Sequence, residues 1–184
     1  MENTEIEIVQ FIQKHRIQSL DTLFVLLSST TYISIFIFLV FLLIYGYLKK
    51  CKVTILNTAK LFAGLVINSA MVGFLKLTVN RERPYEISSA IEVLSLGRSP
   101  SFPSGHTAAS FLFSFAFLLL FRGSYITKGI IFLWAVNVAY SRLVLGAHFP
   151  TDVLCSILLS FINSFSGIYF VNYIKGKFDN RVVH

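Results

Sequence analysis

Several apolar runs in the sequence are long enough for a helix to cross a lipid bilayer. Crossing the roughly 30 Å hydrocarbon layer takes about 20 apolar residues in a helix. Of the 184 residues, 55% are hydrophobic and 14% are charged, whereas a soluble domain has roughly 25% charged residues. We therefore predict an all-α fold, a polytopic bundle of transmembrane helices in a single domain over residues 1–184. The segments that reach or approach the required length are 30–48, 53–79, 106–121, 126–145 and 150–174.

The first 22 residues have a different pattern from these spans. Charged residues there alternate with apolar ones at near-helical spacing, which is typical of an amphipathic helix lying in the membrane interface. Residues 20–29 belong either to the first span or to a sixth span that is short or re-entrant, so we expect five to six spans. The acidic residues Glu2, Glu5 and Glu7 do not fit a secretory signal peptide. The apolar positions of this segment are Ile6, Ile8, Val9, Phe11, Ile12 and Ile17.

Lysine and arginine residues follow alternate spans, in the connections 49–52 and 122–128 and again after the last span. Because cytoplasmic connections of membrane proteins are enriched in these residues, we predict that this side, including the C-terminus, is cytoplasmic. The net charge of +7 suits anionic lipid head groups, and no basic tract of the nucleic-acid type is present. We expect an integral, multi-pass protein of the cell (inner) membrane that contacts the bilayer and no nucleic acid. The sequence leaves the oligomeric state open.

Three polar clusters lie at the opposite, extracytoplasmic ends of the predicted spans, within residues 76–152. Each cluster falls where a span begins or ends, so we expect all three to meet in one pocket. In chain order they are Lys76 with Arg83–Pro84, then Pro103-Ser104-Gly105-His106, then Ser141-Arg142 with His148 and Asp152.

The composition of these clusters indicates a site for a phosphoryl group. Lys76, Arg83 and Arg142 are cations, and the planar guanidinium of arginine matches the oxygens of a phosphate. Ser104 and Gly105 open a predicted helix, whose N-terminus presents unpaired backbone N–H groups that favour an anion. Glycine has no Cβ, which lets the backbone approach a ligand closely.

Two histidines in the clusters could carry out a reaction. His106 and His148 lie inside the motif region, and imidazole acts as a nucleophile or a proton donor near neutral pH. Asp152 follows His148 by four residues, and Pro150 between them fits the first position of a helix. The carboxylate would then hold one ring nitrogen of His148 and leave the other free to attack phosphorus.

In identity, spacing and order, the three clusters resemble the signature motifs of the type 2 phosphatidic acid phosphatase family, also called lipid phosphate phosphatases. The resemblance implies six spans, an extracytoplasmic active site, and no metal or other cofactor. It implies that His148 is the nucleophile of a phosphohistidine intermediate, that Asp152 orients it and that His106 protonates the leaving oxygen. The residues that it implies for phosphate binding are Lys76, Arg83, Ser104, Gly105 and Arg142.

A phosphatase is the leading hypothesis, and a lipid phosphotransferase or a non-catalytic lipid-phosphate binder or transporter are the alternatives. Binding alone does not require two histidines and a carboxylate, which favours an enzyme. The vanadium-dependent haloperoxidases have a similar site, but they are soluble proteins. We predict hydrolysis of a phosphomonoester or pyrophosphate on a membrane lipid. The candidate substrates are undecaprenyl pyrophosphate, phosphatidylglycerol phosphate and the 1-phosphate of lipid A.

Some polar and aromatic residues lie outside the motifs. The connection 81–102 is the longest polar segment, and we expect a short surface helix in it and a head-group wall that selects the lipid. Arg81 and Arg98 fit lipid-head-group anchors as well as they fit a role in the site. We assign the Phe-rich face of the third span to lipid contact and packing and not to a dedicated acyl-chain groove, and we assign Asn68 to an interhelical hydrogen bond. The residues of that face are Phe111, Phe113, Phe115 and Phe117.

Overall fold

The computed structural model describes residues 2–182, and the side chains of residues 3–178. Over this part of the chain the structure is helical and has no strand, which confirms the predicted all-α fold. A single 3₁₀ turn separates the first two helices. The helices are α1 (Glu2–Lys14), α2 (Asp21–Ser29), α3 (Thr31–Leu48), α4 (Lys52–Val79), α5 (Pro84–Ile87), α6 (Gly105–Leu120), α7 (Tyr125–Val144) and α8 (Pro150–Val182).

Five of these helices fall where the sequence predicts spans. Three stretches are both long and apolar enough to cross a membrane: Thr31–Leu48, Lys52–Ile87 and Pro150–Phe178. Helix α6 is also apolar but has only 16 residues. Helix α2 leads into α3 through Thr30 alone, whose backbone is helical, so residues 20–29 continue directly into the helix of the first predicted span.

Helix α6 lies at the centre of the bundle and packs against α3, α4, α7 and α8. Phe111, Phe113 and Phe117 on this helix are at most 6% exposed. Phe113, for example, meets Phe38 and Trp134 edge to face, with ring centroids 5.2 and 6.0 Å apart. The predicted packing role of the Phe-rich face is therefore confirmed for these three residues, and the predicted lipid contact is wrong for them. Lipid tails are as apolar as a protein core, so hydrophobicity alone does not separate the two environments.

Polar side chains connect the buried helices. The Asn68 amide donates to the Ala108 carbonyl at 3.0 Å, which confirms the predicted interhelical hydrogen bond. Asn163 donates to the Asn68 side-chain oxygen at 3.0 Å, and the Ser160 hydroxyl donates to the same Ala108 carbonyl at 2.7 Å. These bonds join α4, α6 and α8 at one level of the bundle. Polar groups buried in an apolar environment need such partners.

The N-terminal helix packs on the end of the bundle. Val9 is fully buried, and the Gln13 amide donates to the carbonyls of Glu92 and Val144 at 2.9 and 3.1 Å. The Glu92 backbone N–H donates back to the Gln13 side chain at 2.9 Å. Helix α1 therefore lies against the end of α7 and against the connection 88–104. The predicted connection 81–102 has no helix beyond the single turn of α5, so the predicted surface helix is limited to Pro84–Ile87.

Glycines bring α4 and α8 into backbone contact. A Cβ atom added at Gly167 would lie 2.5 Å from the Gly64 nitrogen and 2.6 Å from its Cα. No side chain fits between two backbones at that separation. By contrast, a Cβ atom at Gly176, on the same helix, would have no neighbour within 4 Å.

We expect Gly167→Ala to lower the thermal stability of the detergent-solubilised protein, because the added methyl group forces α4 and α8 apart. Overpacking of this kind typically costs about 1–3 kcal/mol. Gly176→Ala is the matched control, since alanine favours a helix over glycine by up to about 1 kcal/mol and meets no obstacle there. Thermal unfolding followed by circular dichroism measures both variants. Equal midpoints for the two would contradict the close contact.

Candidate active site

A cavity of about 260 Å³ opens at the end of the bundle where α4 ends and where α6 and α8 begin. All three predicted motif clusters contribute to it. The loop 95–99 and the end of α2 form the rest of its wall. The predicted site residues that line it are Lys76, Arg83, Gly105, His106, Arg142 and His148.

His148 lies in the short loop between α7 and α8, with Asp152 in the first turn of α8. The loop turns at Gly146, whose φ of +66° is readily adopted by glycine. The Nδ1 atom of His148 lies 3.5 Å from Oδ2 of Asp152, and both side chains are almost completely buried. This separation is longer than an ordinary hydrogen bond, as is common in catalytic pairs without a bound substrate.

Asp152 has partners that hold its carboxylate in place. The Ser101 hydroxyl donates to Oδ2 at 2.5 Å, and the Phe149 backbone N–H donates to the same oxygen at 2.9 Å. Ser101 also lies 3.4 Å from Nδ1 of His148. Because Nδ1 faces this group, Nε2 is the ring nitrogen of His148 that remains free.

Burial and, to a smaller extent, the nearby cations Arg142 and Arg83 lower the pKa of His148 to about 3, against the opposing effect of Asp152. The ordinary pKa of a histidine is 6.5. The ring is therefore neutral at physiological pH, and its free nitrogen keeps the lone pair that a nucleophile needs.

The three cations of the cavity are held by carbonyl and hydroxyl oxygens. Arg83 donates from Nε and Nη2 to the Ser99 carbonyl at 3.0 and 2.8 Å, and from Nη1 to the Ala147 carbonyl at 2.8 Å. The Nη1 atom of Arg142 bonds to the Ser28 hydroxyl, and Nε of the same guanidinium has no partner. No carboxylate pairs with these side chains in the described part of the chain.

Lys76 completes this set of cations, since its ammonium group bonds to the Pro100 carbonyl. Neutral partners leave the positive charge of all three side chains uncompensated. A dianion such as phosphate would supply that compensation and accept the donors that remain. The arrangement is therefore suited to binding a phosphoryl group.

Helix α6 contributes His106 and Gly105 to the cavity. The His106 ring packs against Tyr32, with centroids 4.8 Å apart. A Cβ atom at Gly105 would lie 2.9 Å from the Tyr32 hydroxyl, so a larger residue would crowd the wall there. Ser104 is fully buried and its hydroxyl pairs with that of Thr107 at 2.9 Å. Its side chain lies beside the cavity and does not line it.

The sequence left two roles open for Arg81, an anchor for lipid head groups and a part of the site. In the structure Arg81 bonds to other side chains of the protein, which differs from an anchor. Its guanidinium bonds to Asp152 at 2.8 Å and to Glu5 at 2.6 Å, and it lies 3.9 Å above the ring of Phe149. Arg98, by contrast, is exposed at the mouth of the cavity. The sequence offered a weak signal for Arg81, its position two residues before Arg83.

Four residues that bond to or pack against the site residues were not predicted from the sequence. They are Ser28, Tyr32, Ser101 and Glu5. They come from the N-terminal region and from the irregular connection, outside the motif spacing. Ser101 alone had a usable signal, because it lies three residues before Ser104 in a polar run. Tyr32 and Ser28 could not be separated from other residues of an apolar segment.

A helical bundle with membrane-spanning stretches, a cationic cavity and two histidines in the wall of that cavity defines a class of protein: a membrane protein with a site for a phosphoryl group. The PAP2 superfamily model matches residues 54–175, about two thirds of the chain. The chain belongs to the PAP2 superfamily. This result confirms the family that the motifs resemble.

The curated relatives include lipid phosphatases. The chain is 26% identical over 151 residues to the undecaprenyl-diphosphatase BcrC of Bacillus subtilis, covering 82% of this chain and 75% of that protein. It is 33% identical over 129 residues to the lipid A 4'-phosphatase of Bacteroides thetaiotaomicron, covering 66% of this chain and about half, 54%, of that one. These relatives confirm the predicted enzyme class, a phosphatase that acts on lipid phosphates.

A solved structure has the same fold over nearly the whole length. The crystal structure of Aquifex aeolicus LpxE superposes with a TM-score of 0.76 at 27% identity. The match covers 89% of this chain and 93% of that one. The likeness therefore extends beyond residues 54–175, over which the family model matches.

The buried, neutral state of His148 predicts how stability depends on pH. Between pH 6.5 and about 3, the unfolded chain binds a proton at this residue and the folded protein does not. The contribution of His148 to the free energy of unfolding is therefore complete above pH 6.5. It decreases as the pH falls below that value, by up to about 1.4 kcal/mol per pH unit.

We expect His148→Asn to reduce this acid sensitivity, because asparagine does not titrate. Thermal unfolding of both proteins at pH 7 and pH 5 tests the prediction. The wild type should lose more stability than the variant between the two values. An equal loss would mean that the folded protein protonates His148 as readily as the unfolded chain.

Proposed function

We propose that this protein removes a phosphate from a membrane lipid through a phosphohistidine intermediate formed on His148. The observation that carries the proposal is one cavity in which a neutral histidine, backed by a buried carboxylate, faces three uncompensated cations. A second histidine, His106, lines the same cavity. A binding protein would need the cations but neither histidine, which supports catalysis over binding or transport alone.

In the first step, Nε2 of His148 attacks phosphorus, and the bond between phosphorus and the lipid oxygen breaks. His106, which the negative charge of the bound phosphate keeps protonated, gives its proton to that leaving oxygen. Lys76, Arg83 and Arg142 bind the non-bridging oxygens and stabilise the charge that they carry in the transition state. The product lipid departs and the phosphoryl group stays on His148.

In the second step, water attacks the phosphohistidine. His106, now neutral, takes a proton from that water, and the bond between phosphorus and Nε2 breaks to release inorganic phosphate. Asp152 faces Nδ1 throughout and stabilises the positive charge on the ring while Nε2 carries the phosphoryl group. The Ser101 and Phe149 donors keep that carboxylate oriented.

The sidedness of the site follows from the basic residues. The cavity lies at one end of the bundle, and the basic connections 49–52 and 122–128 lie at the other end, where Asn57 bonds to the Leu120 carbonyl at 2.6 Å. The positive-inside rule supports a cytoplasmic location for the basic end and for the C-terminus. The cavity then faces the extracytoplasmic side.

An apolar groove of about 240 Å³ between α3, α6 and α7 supports a lipid as the substrate. It lies deeper in the bundle than the cavity. At 1.5 Å per residue, Phe113 is about 10 Å from His106 along α6, and Trp134 is about 12 Å from Arg142 along α7. In both helices the residue of the groove lies farther from the cavity end of the bundle. A lipid phosphate in the cavity could therefore extend its hydrocarbon chain along this groove. The groove is lined by Ser34, Ile35, Phe38, Phe113, Ile130, Ile131 and Trp134.

The candidate lipids remain undecaprenyl pyrophosphate, phosphatidylglycerol phosphate and lipid A 1-phosphate. Leu96, Gly97 and Arg98 of the connection 81–102 line the cavity, which supports this segment as the wall that selects the head group. Arg98 is exposed and lies nearer the mouth of the cavity than the buried guanidinium groups of Arg83 and Arg142. A diphosphate would offer it a second phosphate group, whereas a monophosphate would not.

Phosphate release from these lipids in detergent tests the function. We expect turnover without added metal and in the presence of EDTA, because the charge is neutralised by lysine and arginine. His148→Ala should lower kcat by about 10⁴-fold or more, the size seen when a nucleophile is removed. His15→Ala is the matched control, since that histidine is exposed and bonds only to its own helix. Full activity of His148→Ala would refute the mechanism, and dephosphorylated lipid without free phosphate would select the phosphotransferase.

The position of Arg98 predicts a change in substrate preference. We expect Arg98→Gln to lower kcat/KM for undecaprenyl pyrophosphate about 10-fold, the loss of one charge-assisted contact. The value for a monophosphate such as phosphatidylglycerol phosphate should change little. The ratio between the two substrates is the measurement. An unchanged ratio would mean that Arg98 contacts bulk head groups and not the substrate.

A further inference from the structure

We propose that Arg81 and Glu5 are positioning residues of the active site, which hold Asp152 in the orientation that His148 requires. The inference rests on the proposed function, in which Asp152 orients the nucleophile. It assigns a role in the reaction to the N-terminal helix, which lies outside the motif region and outside residues 54–175 of the family match.

Arg81 occupies one oxygen of the carboxylate and leaves the other for the histidine. Its Nη1 atom donates to Oδ1 of Asp152 at 2.8 Å, while Oδ2 is the oxygen that faces His148, Ser101 and the Phe149 N–H. Both oxygens of the Asp152 carboxylate therefore have bonded partners that fix its orientation. Rotation of its plane, which would move Oδ2 away from Nδ1, would break the bond to Arg81.

Glu5 fixes Arg81 and the first turn of α8 together. Its Oε2 atom accepts from Arg81 at 2.6 Å, and its Oε1 atom accepts from the backbone N–H and the hydroxyl of Thr151 at 3.0 and 2.7 Å. Arg81 also donates to the Thr151 hydroxyl at 2.8 Å. Although burial opposes it, bonding to Thr151 and Arg81 lowers the pKa of Glu5, so this side chain is ionised at neutral pH.

The charge of Arg81 also affects where the ring proton resides. A cation 2.8 Å from Asp152 makes the carboxylate a weaker base, so the proton stays on Nδ1 of His148 while the phosphoryl group is on Nε2. Arg81 does not line the cavity. It therefore acts on the reaction through Asp152 and not by touching the phosphate, which separates it from Arg83 and Arg142.

The test compares Arg81→Gln, Arg81→Lys and Glu5→Gln with the wild type, using the panel lipid that the protein turns over fastest. We expect Arg81→Gln to lower kcat about 10- to 100-fold, as removal of a residue that orients a catalytic ligand does. The KM should stay within about twofold, because no contact to the substrate is lost. Arg81→Lys should recover part of kcat. Glu5→Gln should lower kcat less, and the double variant should be no slower than Arg81→Gln.

Two control variants separate positioning from docking of the N-terminus. Glu7→Gln removes an exposed carboxylate from the same helix, and Arg16→Gln removes the ion pairs to Asp21 and Glu92 that also tie this region to the bundle. Neither contacts Asp152, so kcat should stay near the wild-type value in both. If Arg16→Gln lowers kcat as much as Arg81→Gln does, the effect is general loosening and the proposal is overturned.

A readout that needs no turnover is the tautomer of His148, observed by ¹⁵N NMR of histidine-labelled protein in micelles. We expect the Nδ1–H form in the wild type and a mixture of tautomers in Arg81→Gln. Identical spectra would overturn the proposal, as would a raised KM with unchanged kcat, which would make Arg81 a phosphate ligand. A tautomer change in a protein that turns over none of the lipids would support the positioning role and reject the proposed function instead.

Discussion

Placing three cations in an apolar bundle without carboxylate partners is the constraint on which the rest of this structure depends. Moving a charge out of water is expensive unless hydrogen bonds replace its hydration. Here the replacement comes from the carbonyls of Ser99, Pro100 and Ala147 and from the Ser28 hydroxyl. The irregular connection before α6 exists in this form because a helix would use its own carbonyls internally and leave none for Arg83 and Lys76.

The same constraint explains why the site is assembled from distant parts of the chain. Carbonyl acceptors on a loop are useful only if the loop is fixed, and α1 fixes it through Gln13, which bonds to the Glu92 backbone in both directions. The bundle below provides a rigid base through the polar bonds around Asn68 and the backbone contact of Gly64 with Gly167. Helix α1 thus fixes the loop, and α4, α6 and α8 form the rigid base of the site. These separate elements meet at one end of the bundle.

The sequence predicted the helices and most of the cavity, because both depend on local signals. Apolar run length is set by membrane thickness, and the motif residues recur at spacings that place them at helix ends. It did not predict Glu5, Tyr32 or Ser28, because their partners are more than 70 residues away in the chain or lie across the bundle. No periodicity encodes such pairings. The buried faces of α6 were misassigned for a related reason, since lipid and protein interiors demand the same residues.

Helix α6 is short and begins well below the outer end of α4, which sets the depth of the cavity. Asn68 and Ala108 lie at one level, and from there α4 continues outward for 11 residues to Val79, whereas α6 continues for only three to Gly105. At 1.5 Å per residue, the floor of the cavity lies about 12 Å below the outer end of α4. A phosphate bound beside His106 would therefore lie closer to the hydrocarbon layer than the outer end of α4 does, and would lose much of its water. In that low-dielectric surrounding, each cation attracts it more strongly than it would at the membrane surface.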